Sequence, residues 1–179
     1  MNTADMGVEL MRGPGLRDYH IVKEVALATI GKRPVNEPKE EWLAALADAE
    51  HSPVRMLRFV IRMWAPYWVL NELRTHHVGA EMWMQSSRND RQNDFDRGTA
   101  PQGMTRIAIW EVNLQALMDV MHRRLCGCAS SEMQTLAGMI AGAVIDQYPW
   151  TEKLLVPMCE YRGGVCHEMQ CCGRCPKKE

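Results

Sequence analysis

The chain has 179 residues, a formal net charge of −1 and 46% hydrophobic residues, enough apolar material for one compact domain with a real core. The near-neutral balance gives no broad basic field for nucleic acid, and no apolar run approaches the roughly 20 residues of a membrane span. The start MNTADMG lacks the basic and apolar parts of a signal peptide, so the expectation is a cytoplasmic protein with neither nucleic-acid nor membrane partners.

Ile21, Val22, Val25, Ala26 and Ile30 recur at helical spacing, and Gly31 followed by Pro34 ends that segment. Asn36 and Pro38 open a second helix with Trp42, Leu43, Leu46 and Ala49 on one face, closed by His51-Ser52-Pro53. Leu57, Phe59, Ile61 and Met63 alternate with Met56, Arg58, Val60 and Arg62, which predicts a strand that half-covers a core. Pro66 starts a helix that runs to about His77, Gly79 breaks it, and Glu81 to Gln85 form a second strand. After a polar loop over 89–103, a third strand spans Ile107 to Val112, and Asn113 caps a helix carrying Leu114, Leu117, Met118 and Met121. Ser130 or Ser131 opens a long last helix with Met133, Leu136, Ala137, Ile140, Ala143 and Val144 inward, stopped by Pro149. The order α-α-β-α-β-β-α-α predicts a single α+β domain, a small mixed or antiparallel sheet packed by helices.

Between Pro66 and Arg97 the chain gathers His76, His77, Ser86, Ser87, Arg88 and Arg91 in helix, strand and loop. Arginine forks bind phosphate or carboxylate bidentately, and serine hydroxyls complete such a cradle, so a phosphorylated small molecule is the ligand this stretch suggests. Five of the seven cysteines, Cys159, Cys166, Cys171, Cys172 and Cys175, crowd the last 21 residues, leaving Cys126 and Cys128 in the body. The chain thus divides into a body over 1–157 and a Cys-rich tail over 158–179. Cys159, Cys166, Cys171 and Cys175 are enough thiolates for a structural zinc site, while reduced thiols or an iron–sulfur cluster are the other readings of the same pattern.

In this order the chain resembles the flavin-dependent thymidylate synthases, whose signature runs Arg-His-Arg-x-x-Ser-x-Asn-x-x-Ser-x-Arg, over residues 20 to 150. Ser52-Pro53 matches the upstream turn of that family. His76 takes the central signature histidine, with Thr75 and His77 in place of the flanking arginines, and Ser86-Ser87-Arg88 takes the closing Ser-x-Arg after one inserted residue. Downstream, Arg97, Pro101, Trp110, Asn113, Leu117, Asp119, Arg124, Glu132, Pro149 and Trp150 follow at family-like spacing. Only eight residues separate Arg88 from Arg97, where the family carries a long helical insertion.

The resemblance implies a methyltransferase that reductively methylates dUMP to dTMP, with FAD as cofactor and methylene-tetrahydrofolate and NADPH as co-substrates. It implies a homotetramer with active sites shared between subunits. It places Glu72, Ser86, Ser87, Arg88, Arg97 and Arg124 at the nucleotide, and Ser52, Thr75, His76, His77, Asn113 and Asp119 at the flavin. Arg124 carries the catalytic role, since a fixed guanidinium at the pyrimidine edge stabilises the anionic form that supplies electron density to C5. A related flavoenzyme acting on another pyrimidine nucleotide, or a non-catalytic flavin- or nucleotide-binding protein whose tail recruits a partner, is consistent with the same residues.

Taken one at a time, the residues also have plain structural readings. His76 and His77 sit where a helix dipole favours them, as do Arg123 and Arg124. Arg88, Arg91 and Arg97 interleave with Asp90, Asp94 and Asp96 as a solvated, salt-bridged loop would. Asn113 is explained as a helix cap, and Trp110 and Trp150 as core aromatics. The joint spacing favours the functional side.

Overall fold

A computed structural model describes residues 6–86 and 98–178. The alternating segment forms β2 (Arg58–Pro66), which pairs antiparallel along its whole length with β4 (Thr105–Asn113), from Arg58 opposite Asn113 to Pro66 opposite Thr105. The hairpin partner β3 (Ala80–Met84) adds to the far side of β4, and β1 (Gly7–Arg12) adds to β2, giving a four-stranded antiparallel sheet in the order β1-β2-β4-β3. Period-2 geometry turns Phe59, Ile61, Met63 and Ala65 of β2, and Ala108, Trp110 and Val112 of β4, to one face, where all are buried. Each large side chain among these stabilises the fold by about 2 kcal/mol of apolar burial. The expected alternation on β2 and the antiparallel form of the sheet are thus both observed.

β1 is not among the elements that periodicity predicts. Val8 and Leu10 alternate with Glu9 over only a few residues before the register shifts between Leu10 and Arg12. So short a pattern becomes a strand because the edge of β2 offers it partners.

The helices cover the inward face of the sheet. α1 (Leu16–Ala28) buries Tyr19, Val22 and Lys23, whereas Ile21 and Ile30, expected on its inner face, are exposed. Lys23 tolerates burial because its ammonium donates to Asn36 O, Asn36 Oδ1 and Glu37 O and lies 5.7 Å from the centre of the Trp42 ring. α2 (Glu40–Asp48) inserts Leu43 and Ala47, and a short 3-10 turn over Ser52–Met56 leads into β2. α3 (Tyr67–Arg74) begins directly after Pro66, whose fixed φ suits a helix start, and packs through Val69, Leu70 and Leu73. α4 (Leu114–Arg124) and α5 (Ser131–Gln147) complete the layer, with α5 lying across β1.

One junction holds the β3–β4–α4 corner. Asn113 Oδ1 accepts from Ala116 N at 2.9 Å and so caps α4, while Asn113 N donates to Gly79 O at 3.0 Å. Gly79 has φ of +76°, and a Cβ built there would lie 2.4 Å from Asn113 Nδ2. Backbone conformation and space therefore both require glycine at this turn.

The tail packs on the body. It continues through α6 (Met158–Tyr161), whose Tyr161 ring stacks on His122 at 4.3 Å and whose hydroxyl donates to Asp48 O at 3.0 Å. Beyond it, the backbone of Cys166 pairs in parallel with that of Lys177, and Arg174 pairs with Glu160 at 2.9 Å. The outer face of the sheet carries Trp64 opposite Ile107 and Trp83 opposite Ile109, with Trp64, Trp83 and Ile107 exposed. No helix among the described residues is long and apolar enough to cross a membrane.

Candidate functional site

The central feature joins residues 48 and 52 positions apart. α3 ends at Arg74, and Thr75 closes it by donating from Oγ1 to Glu72 O at 2.7 Å, which turns His76 back toward the helix layer. α4 ends beside it and delivers Arg124 from its last turn. Arg124 Nε donates to His76 Nε2 at 2.9 Å, and Arg124 Nη1 pairs with Glu72 Oε1 at 2.5 Å. Because a guanidinium is always protonated, His76 Nε2 must be the acceptor, so the neutral ring carries its proton on Nδ1. Burial first, then the charges of Arg124 and Arg123, hold the His76 pKa below its ordinary value, with Glu72 opposing. Glu72 and His76 thereby fix a charged guanidinium in one orientation at the mouth of a cleft.

His76 is the wall between two open grooves. One, of about 570 Å³, is lined by Asn71, Arg74, His77, Glu81 and Met82 as well as His76. The other, of about 500 Å³, runs past Arg123 and Arg124 to Cys126, Cys128 and Glu168. Arg74 lines the first groove and Arg123 and Arg124 the second, and open polar grooves with such cations suit a phosphorylated ligand better than an apolar one. Asn71, Arg74 and Glu168 were not singled out from the sequence. Arg74 had a signal, since it stands two residues before His76 in the last turn of the helix.

The remaining expected site residues are distributed more widely. Thr75 and His77 are exposed beside His76, and His77 Nδ1 lies 3.0 Å from Thr75 O. Asn113 is buried and uses its side-chain oxygen as the α4 cap. Asp119 is exposed on α4 and faces His122 and Tyr161. Five residues of helix rotation put it about 140° from Arg124. Ser52 is exposed at the head of a turn that packs on α1 and on α4, the backbone beside it joining Leu57 O to Leu114 N at 2.8 Å. Ser86 is exposed just beyond β3, whereas Ser87, Arg88, Arg91 and Arg97 lie outside the described residues.

Among the tail cysteines, Cys159 and Cys166 are buried and Cys171, Cys172 and Cys175 half-buried. Cys171 Sγ donates to Cys175 O at 3.2 Å. The tightest thiol group among the described residues is a different set from the expected quartet: Cys126, Cys128 and Cys172, whose sulfurs all lie within 4.8 Å of one another.

The fold is the one seen in solved flavin-dependent thymidylate synthases, as the sequence resemblance implied. The solved structures similar to this chain include two of thymidylate synthase X from Helicobacter pylori with FAD and dUMP. These superpose with TM-scores of 0.65 and 0.67 at 13% and 14% identity, covering 84% and 83% of this chain and 97% of theirs. A UMP/dUMP methylase from Streptomyces cacaoi bound with 5-Br dUMP superposes with a TM-score of 0.61 at 16% identity, covering 84% of this chain and 94% of that one. No family model matches the chain, and no curated protein matches it in sequence.

Proposed function

We propose that the protein is a flavin-dependent enzyme that methylates dUMP to dTMP, taking the one-carbon unit from methylene-tetrahydrofolate and reducing power from NADPH. One observation carries the reading: Arg124, the residue that the family resemblance assigns to the pyrimidine, is held by Glu72 and His76 beside an open polar groove that Arg123 also lines. Its fixed charge favours negative charge developing on the pyrimidine ring, and its orientation is set before substrate arrives. Arg74 and Arg123 complement the phosphate, and Ser86, Ser87, Arg88 and Arg97 complete the nucleotide contacts. The donor set suits the phosphates of FAD as well as those of dUMP, with Ser52, Thr75, His76, His77, Asn113 and Asp119 as the flavin contacts. The flavin supplies hydride transfer, for which no cysteine nucleophile is needed.

Because Asp119 lies on another face of α4 from Arg124, the complete site draws on neighbouring copies in a homotetramer. The exposed Trp64, Trp83 and Ile107 of the outer sheet face are the apolar material for such an association. The test is rescue of a thymidine-requiring bacterial strain, alongside the purified protein. A yellow protein that oxidises NADPH only when dUMP is present supports the proposal, and well-expressed protein that fails to restore growth removes it.

A second reading has its own observation. Thr75 and His77 stand where the family signature has arginines, and both line the groove beside His76. A related flavoenzyme acting on another pyrimidine nucleotide fits that change, and turnover with UMP but not dUMP would select it.

A further inference from the structure

We infer that Cys126, Cys128 and Cys172 form a binding site for a single thiophilic divalent cation of the zinc class, clamping the tail to the end of α4. The three sulfurs lie within 4.8 Å of one another, although Cys172 is 44 residues away from Cys128 in the chain. Tetrahedral zinc with Zn–S bonds of about 2.3 Å separates its sulfurs by about 3.8 Å, so a small inward closure brings all three to bonding distance. An iron–sulfur cluster would require wider spacing and a fourth cysteine in the same group.

The surroundings are built for this approach. Gly127 separates the two body cysteines, and a Cβ built there would stand 3.0 Å from Cys172 Cβ and 3.3 Å from its sulfur. Any larger residue would hold the tail away. The loop that presents Cys172 is itself tied by backbone pairing of Cys166 with Lys177, by Lys177 Nζ donating to Met169 O at 2.9 Å, and by Cys128 Sγ donating to Gln170 O at 3.2 Å. Three thiolates and a divalent cation leave one net negative charge, which Arg123 and Arg124 face across the shared groove. Glu168 lines the grooves on both sides of Cys128.

The location gives the site a consequence. A single residue, Leu125, separates Cys126 from Arg124, so a cation there anchors the helix end that carries the guanidinium. This rests only on the thiol geometry and holds whatever substrate the grooves accept.

The test uses full-length protein purified under reducing, anaerobic conditions, stripped with a chelator and titrated with Co(II). Uptake of about one equivalent per chain, with thiolate-to-cobalt charge-transfer absorption that Zn(II) abolishes, is expected. Cys128→Ser and Cys172→Ser should weaken uptake about tenfold or more, and Cys175→Ser should leave it unchanged. Cys128 is exposed, so serine there leaves the core untouched, and an unchanged far-ultraviolet spectrum checks this. The inference is overturned by a wild-type protein that takes up no cobalt. It is equally overturned if Cys128→Ser binds cobalt normally, or if Cys175→Ser loses it to the same extent.

Discussion

Replacing Arg124 by lysine separates charge from geometry at the candidate site. Lysine keeps one positive charge but is a point donor, so it cannot reproduce the fork that reaches Glu72 Oε1 and His76 Nε2 together. The Arg124 and Glu72 side chains are 23% and 29% exposed, so solvent screens their pairing and its loss costs no more than about 1 kcal/mol. Losing the hydrogen bond to half-buried His76 adds about 1 kcal/mol. A total near 2 kcal/mol is a minor part of the roughly 5–15 kcal/mol of a typical domain, so the variant stays folded. Loss of an oriented group that stabilises developing charge costs about 100-fold or more in turnover. Urea denaturation and NADPH oxidation with dUMP, measured on the same preparation, should therefore show a small stability loss beside a large activity loss. Arg124→Ala adds a third readout. Removing the guanidinium takes away one of the causes that depress the His76 pKa, while burial, the largest, remains. The His76 titration followed by NMR should thus move part of the way up toward its ordinary value. Turnover by Arg124→Lys within about threefold of wild type would refute the role assigned to the fork.

Gly79→Ala places a side chain at φ of +76° and within 2.4 Å of the Asn113 amide, so it should destabilise the protein by about 2 kcal/mol or more in urea melts. Gly31→Ala, at φ of +69° but with open space around it, should cost less. Burial holds the His122 pKa below its ordinary value, against the hydrogen bond to Leu154 O at 3.0 Å. The unfolded chain therefore takes up a proton first as pH falls below about 6.5. This contribution to stability is full above that pH and declines below it, so denaturation midpoints should drop between about pH 7.5 and about pH 5.5, and drop less in His122→Gln. Trp83→Glu introduces a charge on the outer face of β3 without touching the buried side, so an assembly that uses this face should dissociate in sedimentation velocity while the far-ultraviolet spectrum stays unchanged.

Much of the architecture was legible because it is written in local period and punctuation. Phe59, Ile61 and Met63 alternate, and the structure buries all three on one face of β2. Pro66, Gly79, Asn113 and Pro149 stop or start elements where the sequence puts them, since each limits the backbone through its own φ preference or side-chain hydrogen bond. Exceptions have the same physical source. β1 depends on the edge of a strand 48 to 57 residues away, Ile21 lies outside the core because α1 turns Tyr19, Val22 and Lys23 inward, and Ile30 lies beyond that helix's last residue, Ala28.

What only the tertiary structure decided is which chemically able groups meet. Arg124 could have been a helix-end cation and His76 a helix-end histidine on any argument from neighbouring residues, and the approach of the C-terminal ends of α3 and α4 makes Arg124 the partner of both His76 and Glu72. Cys126 and Cys128 belonged to the body and Cys172 to the tail, until the chain's return brought their sulfurs together past Gly127. Periodicity and turn preference act over a few residues, so the sequence by itself determined the elements and the face each one buries. Contacts across 44 to 52 residues depend on how those elements stack, and the stacking alone created the guanidinium site and the thiol cluster.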